Sequence, residues 1–317
     1  MDVASIYQNV QTRYSEIALQ AHGDEAQLSK ASRIASSFGY SGEDLASLPS
    51  GTNLGVSCGN PLATVNLEPS ETVIPVQVLT PLQMLDLGSG GGLDCLIAAN
   101  QMLKKNPVPS GKIYGVDRNG MMIALARRNA SKSNLPEGFV QFIQAPISEV
   151  PLEDSTVDLV VSNCVINLVP DGDKPKVFKE IHRLLKAGGR VAISDILAKK
   201  PMPDHIRHDA ALLVGCVAGA SLLDEYRQWM VKAGFQDDAI RFINTEKDLN
   251  VYHEAERAPA CCAEQKESES CCNKETEGAV CCAEKNGLKP CCTETAEVGK
   301  ELDFNEWVAS YQVYAVK

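Results

Sequence analysis

Apolar positions in this chain follow first a helical period and then an alternation of short apolar runs with amphipathic stretches. VQTRYSEIALQ and EAQLSKASRIASSF place apolar residues every three or four positions, the spacing of a helix with one buried face. GYSGEDLASLPSG reads as a short third helix, with Ser41 as N-cap and Pro49 ending it. Gly55 to Pro61, GVSCGNP, is loop chemistry. Further along, QMLDL, KIYGVD, FVQFIQA, TVDLVVSNCVINL and GGRVAISDIL read as strands. GGLDCLIAANQML, GMMIALARRNASKS and DKPKVFKEIHRLLK read as the helices among them. Strands alternating with helices imply right-handed crossovers and a mostly parallel sheet.

Two more helices are expected in DHIRHDAALLVGCVAGA and SLLDEYRQWMVKAGF, the second stopped by Gly234, and two late strands in AIRFINT and VASYQVYAVK. The expectation is an α/β fold with a doubly wound, mostly parallel seven-stranded sheet, preceded by a helical N-terminal segment. Four regions follow: 1–66 as the helical segment with a loop, 67–256 as the α/β domain, 257–300 as an inserted segment and 301–317 as a strand returning to the sheet. The inserted segment is rich in Glu, Lys, Ala and Ser and poor in large apolar residues. It cannot bury enough apolar area to offset its ordering entropy, so it reads as flexible. Ile74 to Gln83, carrying Pro75 and Pro81, reads as a second, smaller insertion ahead of the first sheet strand.

The net charge of −11 argues against a nucleic-acid partner, whose phosphates reward clustered Lys and Arg. No apolar run approaches the length of a membrane span, and MDVASIYQNVQTRYSEIA has neither a basic start nor a continuous apolar core. A cytoplasmic protein without a membrane partner is expected. Eight of the 12 cysteines form four adjacent pairs at ten-residue intervals: Cys261 and Cys262, Cys271 and Cys272, Cys281 and Cys282, Cys291 and Cys292. Without a secretory signal they read as a thiol array able to hold a soft ion, not as a disulfide framework.

The richest motif is MLDLGSGGG, a strand running into a loop with Asp86, Gly88, Ser89, Gly90 and Gly92. A dinucleotide fold wants its third glycine one place later, where Leu93 stands. The loop therefore disfavours NAD and fits S-adenosyl-L-methionine (SAM). Asp117, ending KIYGVD, can accept both ribose hydroxyls of an adenosine. Ile147 and Ser148, in the turn after the third strand, fall where an adenine contact belongs. Asn163 and Cys164 end the fourth strand, beyond which ligands of open α/β sheets lie. Cys58 sits in the glycine-flanked loop, and Cys216 falls on a predicted helix of small residues. For Cys95 simple burial is the better reading. The five histidines show no metalloenzyme spacing, and no nucleophile elbow or Walker loop is present.

SGTNLGVSCGNP, MLDLGSGGGLDCLIAA, YGVDRNGMM, VDLVVSNCVINLVPD, LKAGGRVAISDIL and LLVGCVAGA together resemble the arsenite SAM-dependent methyltransferases. The resemblance runs from about Val10 to Phe242 and resumes at DFNEWVASYQVYAVK. It implies a Rossmann-like methyltransferase domain that moves a methyl group from SAM to trivalent arsenic, as arsenite or methylarsenite. It implies that Cys58, Cys164 and Cys216 hold the arsenic, that glutathione or thioredoxin serves as reductant and that methylated arsenicals leave, a detoxification. A monomer is expected. Three departures stand out: no cysteine follows the RYSEIA helix, Ser148 replaces an acid common in the family, and Ile74 to Gln83 is extra. Two rivals remain open on the residues alone. One is a sterol- or quinone-type methyltransferase with incidental thiols. The other is a non-catalytic protein sequestering As(III), Cu(I) or Zn(II).

Overall fold

A computed structural model describes residues 2–21, 23, 25–65, 82–106, 111–207, 209, 216–252 and 303–317. Seven strands form one sheet in the order β3-β2-β1-β4-β5-β7-β6. They are β1 Leu82–Leu87, β2 Gly111–Asp117, β3 Val140–Gln144, β4 Val157–Asn163, β5 Leu185–Ala198, β6 Arg241–Asn244 and β7 Val308–Val316. The first five pair in parallel, as the alternation of strand and helix requires. β7 runs antiparallel between β5 and β6. The chain leaves β1 toward β3, then returns to the other side of β1 as β4. That reversal opens a crevice beyond the carboxyl ends of β1 and β4, where an open α/β sheet takes its ligand.

Strand residues alternate between two cores, so both faces of the sheet are covered. Leu85 and Leu87 face α7 (Lys174–Leu184) and the helix Leu223–Ala233, packing among Phe178, Ile181, Tyr226 and Met230. Met84 faces α5 (Leu93–Lys105) and α6 (Gly120–Lys132), packing with Cys95, Ile97, Ile123 and Ala126. The expected burial of Cys95 is found. Ahead of the sheet come α1 (Val3–Gln20), α2 (Glu25–Ser37), α3 (Gly42–Ala46) and α4 (Pro61–Thr64). α3 is capped by Ser41, whose hydroxyl accepts from the Asp44 N–H. Asn119 caps α6 and also donates to Gln11 O and Ser15 Oγ, which ties α1 across the mouth of the crevice.

Three sequence expectations change. Leu82 and Gln83 belong to β1, paired with Gly111 and Lys112, so they are not inserted; 74–81 lie outside the described residues. The strand predicted through TVDLVVSNCVINL stops at Asn163, and Ile166–Leu168 is a 3-10 turn. The helix predicted through Cys216 is helical only at Asp204–Arg207 among the described residues. Cys216 itself has φ of 63°, a left-handed conformation that no α-helix contains. Segment 257–300 and its four Cys-Cys pairs lie outside the described residues.

Candidate active site

The glycine loop follows β1 directly. Gly88, Gly90 and Gly92 all have positive φ, the conformation that a Cβ disfavours. Gly88 is doubly constrained, because a Cβ there would fall 2.3 Å from Cγ2 of Val165. Gly92 opens α5, whose first amides are free for an anionic group. Asp117, at the end of β2, accepts from Gly90 N at 3.0 Å and from Asn119 N at 2.8 Å, which locks the loop to the second strand. Asp86, Gly88, Ser89, Gly90, Asp117, Ile147, Ser148 and Asn163 all line one cleft with Tyr7, Val10 and Tyr14 of α1. The structure thus brings every cofactor residue expected from the sequence to one place.

The side chains of this cleft suit S-adenosylmethionine. Asp86 and Asp94 are buried at its floor, and neither has a basic partner among the described residues. Burial and the neighbouring Asp94 hold Asp86 well above the usual carboxylate range. Burial likewise lifts Asp94, to about 6. Two unpaired buried acids are a strong reason to expect a cationic ligand group, because an uncompensated buried charge is costly. The hydroxyl of Ser89 is buried without a partner among the described residues. Pro146 and Ile147 supply an apolar wall for a heteroaromatic ring.

The second part of the site is made of thiols. Cys58, Cys164 and Cys216 are all buried, and their sulfur atoms lie within 4.8 Å of one another. Cys58 and Cys164 are paired as a disulfide with Cα atoms 5.5 Å apart, although 106 residues separate them in sequence. Cys216 donates its S–H to Cys164 O at 3.0 Å, and burial first, Asp195 second, push its thiol well above the ordinary range. Cys164 and Cys216 are two of the four non-glycine residues with positive φ among those described. Such strain persists only where the surroundings enforce it. For Cys164 the enforcement includes its own N–H donating to Ser194 O. For Cys216 it includes Asn167, whose amide Nδ2 donates to Asp195 Oδ1, Ile196 O and Cys216 O.

The Cys58 loop is pinned from several sides. Tyr252 donates to Ser57 O at 2.5 Å, Ser310 to Cys58 O at 2.7 Å and Gln312 to Asn60 O at 3.1 Å. Asn163 accepts from Cys58 N at 3.2 Å and donates to Gly59 O at 2.9 Å. A Cβ on Gly59 would lie 2.6 Å from the Ser194 side chain, so only glycine lets the loop approach β5 this closely. Cys164 lines both the cofactor cleft and a second cleft between α1, α2 and the 53–56 loop, which Cys216 also lines. Cys164 therefore stands where the two clefts meet, with the sulfurs of Cys58 and Cys216 beside it.

Sequence reasoning missed Asp94 and Tyr40. Asp94 lies in the first turn of α5, eight residues after Asp86, and an acid at a helix start reads as an ordinary dipole partner. Its signal was the second acid immediately behind the glycine loop. Tyr40 left no signal, since its hydroxyl matters only through contacts with Asp94 and Asn163, 54 and 123 residues away.

A family profile described as a methyltransferase domain matches residues 81–234. An arsenite methyltransferase of Halobacterium salinarum is 38% identical over 239 residues, 72% of this chain and 55% of that protein. The arsenite methyltransferase of Homo sapiens is 35% identical over 159 residues, 48% of this chain and 40% of that one. Among solved structures, an arsenic(III) S-adenosylmethionine methyltransferase from Chlamydomonas reinhardtii is 28% identical with a TM-score of 0.48, covering 71% of this chain and 69% of that chain. The chain spans about half the length of the curated relatives it matches. The profile match over 81–234 includes both the glycine loop and two of the thiols, Cys164 and Cys216. The chain belongs to the arsenite methyltransferase family of methyltransferases, whose cofactor is S-adenosylmethionine.

Proposed function

We propose that this protein transfers a methyl group from S-adenosylmethionine to trivalent arsenic, arsenite or methylarsenite, held by Cys58, Cys164 and Cys216. The observation that carries this reading is the convergence of three buried sulfurs at the edge of the cofactor cleft. Trivalent arsenic is soft and prefers sulfur to oxygen or nitrogen. A set of thiols with no histidine or carboxylate among the ligands suits it better than a hard cation. A sterol- or quinone-type acceptor would have no use for that set.

The chemistry needs little from acid–base groups. Arsenious acid condensing with three thiols releases three waters, and each thiol proton leaves in a water. The elevated Cys216 thiol therefore does not obstruct capture. Arsenic capture needs Cys58 and Cys164 as thiols, and a thiol reductant such as glutathione or thioredoxin would keep them so. Once bound by three sulfurs, arsenic keeps its lone pair. Bound S-adenosylmethionine supplies an electrophilic methyl group on a sulfonium. Asp117 would then hold the ribose hydroxyls, Asp86 and Asp94 the ammonium, and Ile147 and Ser148 would flank the adenine. Asn163 serves the loop, since its amide is committed to Tyr40, Gly59 and Cys58. The protein's work is positioning, which brings two reactants together without further chemistry. Methylation takes arsenic to the pentavalent state, and two thiols joining as a disulfide return the two electrons. In this reading Cys58 and Cys164 serve as that pair.

The physiological role we infer is detoxification through methylated arsenicals. The four Cys-Cys pairs serve in this reading as an arsenic buffer outside the catalytic site. The test is direct. Purified protein is incubated with S-adenosylmethionine, arsenite and glutathione, and methylated arsenic is quantified by chromatography with mass detection. Cofactor binding without any methylated arsenic overturns the reading.

A further inference from the structure

A single file of hydrogen bonds crosses from the cofactor cleft to the thiol site. Asp94 Oδ1 accepts from the Tyr40 hydroxyl at 2.7 Å. The Tyr40 oxygen accepts from Asn163 Nδ2 at 2.7 Å. Asn163 then holds Gly59 O through the same nitrogen and Cys58 N through Oδ1. The polarity of this chain is fixed by chemistry. An amide nitrogen can only donate, so the hydroxyl must accept from Asn163 and donate its own hydrogen bond to Asp94. Tyr40 is 3% exposed, so its hydroxyl depends on these two protein partners. The far end of the file is the backbone that aims Cys58; the near end is an unpaired acid in the cofactor cleft.

We propose that Tyr40 is a positioning residue that couples the two halves of the site: a cofactor whose ammonium reaches Asp94 orders the Cys58 loop through Tyr40 and Asn163 and so tightens capture of trivalent arsenic. This rests on the reading of Cys58 as an arsenic ligand. An ammonium drawn to Asp94 fixes the carboxylate and, with it, the hydroxyl that depends on it. The hydroxyl fixes the Asn163 amide, and the amide fixes the two backbone groups flanking the Cys58 sulfur. The remaining anchors of the loop, Tyr252, Ser310 and Gln312, have no connection to the cofactor cleft through this file. Removing one oxygen atom at Tyr40 takes the hydroxyl step out of this line.

The experiment measures arsenite binding by equilibrium dialysis on the reduced protein. It is run alone, with S-adenosylhomocysteine, and with 5′-methylthioadenosine, which lacks the amino-acid part. In the wild type, S-adenosylhomocysteine should tighten arsenite binding by about fivefold or more, a usual size for coupling between sites. 5′-Methylthioadenosine should leave it unchanged. Linkage requires arsenite to tighten S-adenosylhomocysteine by the same factor. In Tyr40→Phe the coupling should fall to near unity, while 5′-methylthioadenosine alone binds as in the wild type. A purely structural tyrosine would weaken each ligand and keep the coupling factor. Wild-type coupling retained in Tyr40→Phe, absent from the wild type, or produced equally by 5′-methylthioadenosine overturns the proposal. The two nucleoside arms need no variant, so they decide even if Tyr40→Phe does not fold. Equal arsenite binding by wild type and Cys58→Ser would instead overturn the assignment of Cys58 on which the proposal stands.

Discussion

Replacing Asp94 by Asn should make the cofactor-free protein more stable and its cofactor binding weaker. Asp94 is buried, and burial lifts its carboxyl from an ordinary 3.8 to about 6. A raised carboxyl means that the folded state holds the proton more tightly than the unfolded chain. Its contribution is therefore most favourable below pH ~3.8, declines as pH rises and is fully unfavourable above about 6. At about 1.4 kcal/mol per pKa unit, the ionised side chain costs the free protein about 2–3 kcal/mol at neutral pH. Asparagine keeps an oxygen to accept from Tyr40 and carries no charge, so Asp94→Asn recovers that amount. It also relieves Asp86, whose elevation owes its second-largest share to Asp94. The same change removes a charge-assisted contact to the ammonium, worth about 2 kcal/mol, or about thirtyfold in Kd. Urea unfolding of the cofactor-free protein at pH 7.5 and pH 4.5 reads the first effect, and calorimetry with S-adenosylhomocysteine reads the second. The stability gain should shrink at the lower pH. A variant less stable by the same amount at both pH values would show that Asp94 serves packing, and an unchanged Kd would remove it from the ammonium site.

Asp117→Ala should weaken S-adenosylhomocysteine binding by about 2–4 kcal/mol in calorimetry, through loss of two charge-assisted hydrogen bonds; unchanged affinity would sink the ribose assignment. Cys164→Ser or Cys216→Ser should abolish arsenic methylation while cofactor affinity stays as it was, because oxygen is too hard a ligand to replace sulfur. Near-wild-type turnover in either would refute the thiol trap; Cys58→Ser should also lower turnover. Deleting 259–297 should leave turnover at saturating arsenite largely unchanged and lower the arsenic bound per protein, measured by dialysis and mass detection. Loss of turnover in a folded deletion variant would place the Cys-Cys pairs in the catalytic machinery.

Local patterns carried most of the fold into the sequence. The strand-helix alternation from Met84 onward gave the sheet, and Asp86, Gly88 and Asp117 could be read because their roles follow from strand ends and loop spacing. Cys216 shows where that reasoning stops. Its neighbours Val217, Ala218 and Ala220 favour a helix locally, but the Asn167 amide and the packing beneath β5 hold the residue at φ of 63°. The three thiols could be grouped only through the family resemblance, since spacings of 106 and 52 residues carry no ligand signature. Asp94 and Tyr40 escaped for a related reason, as each looks like a routine helix-start acid or core aromatic until the chain is folded.

β7 gives this protein a particular pattern of partial opening. β6 pairs only with β7, and β7 closes the sheet against β5. Ser310 and Gln312, both on β7, also hold the Cys58 loop from 252 residues away. A fluctuation that lifts β7 therefore releases β6 and two anchors of the thiol loop together, while β1 to β5 and the glycine loop keep their own ladders. Proteins open in such contiguous units well below the free energy of global unfolding. Amides of β6, β7 and residues 57–60 should exchange with solvent as one group, ahead of those in β1, β2 and β4. Arsenic joined to Cys58, Cys164 and Cys216 would hold that unit shut, because opening would break a bond to sulfur as well as a row of hydrogen bonds. On the proposed function, the substrate would then act for a time as a structural cross-link, and the departure of the methylated product would restore the looser state.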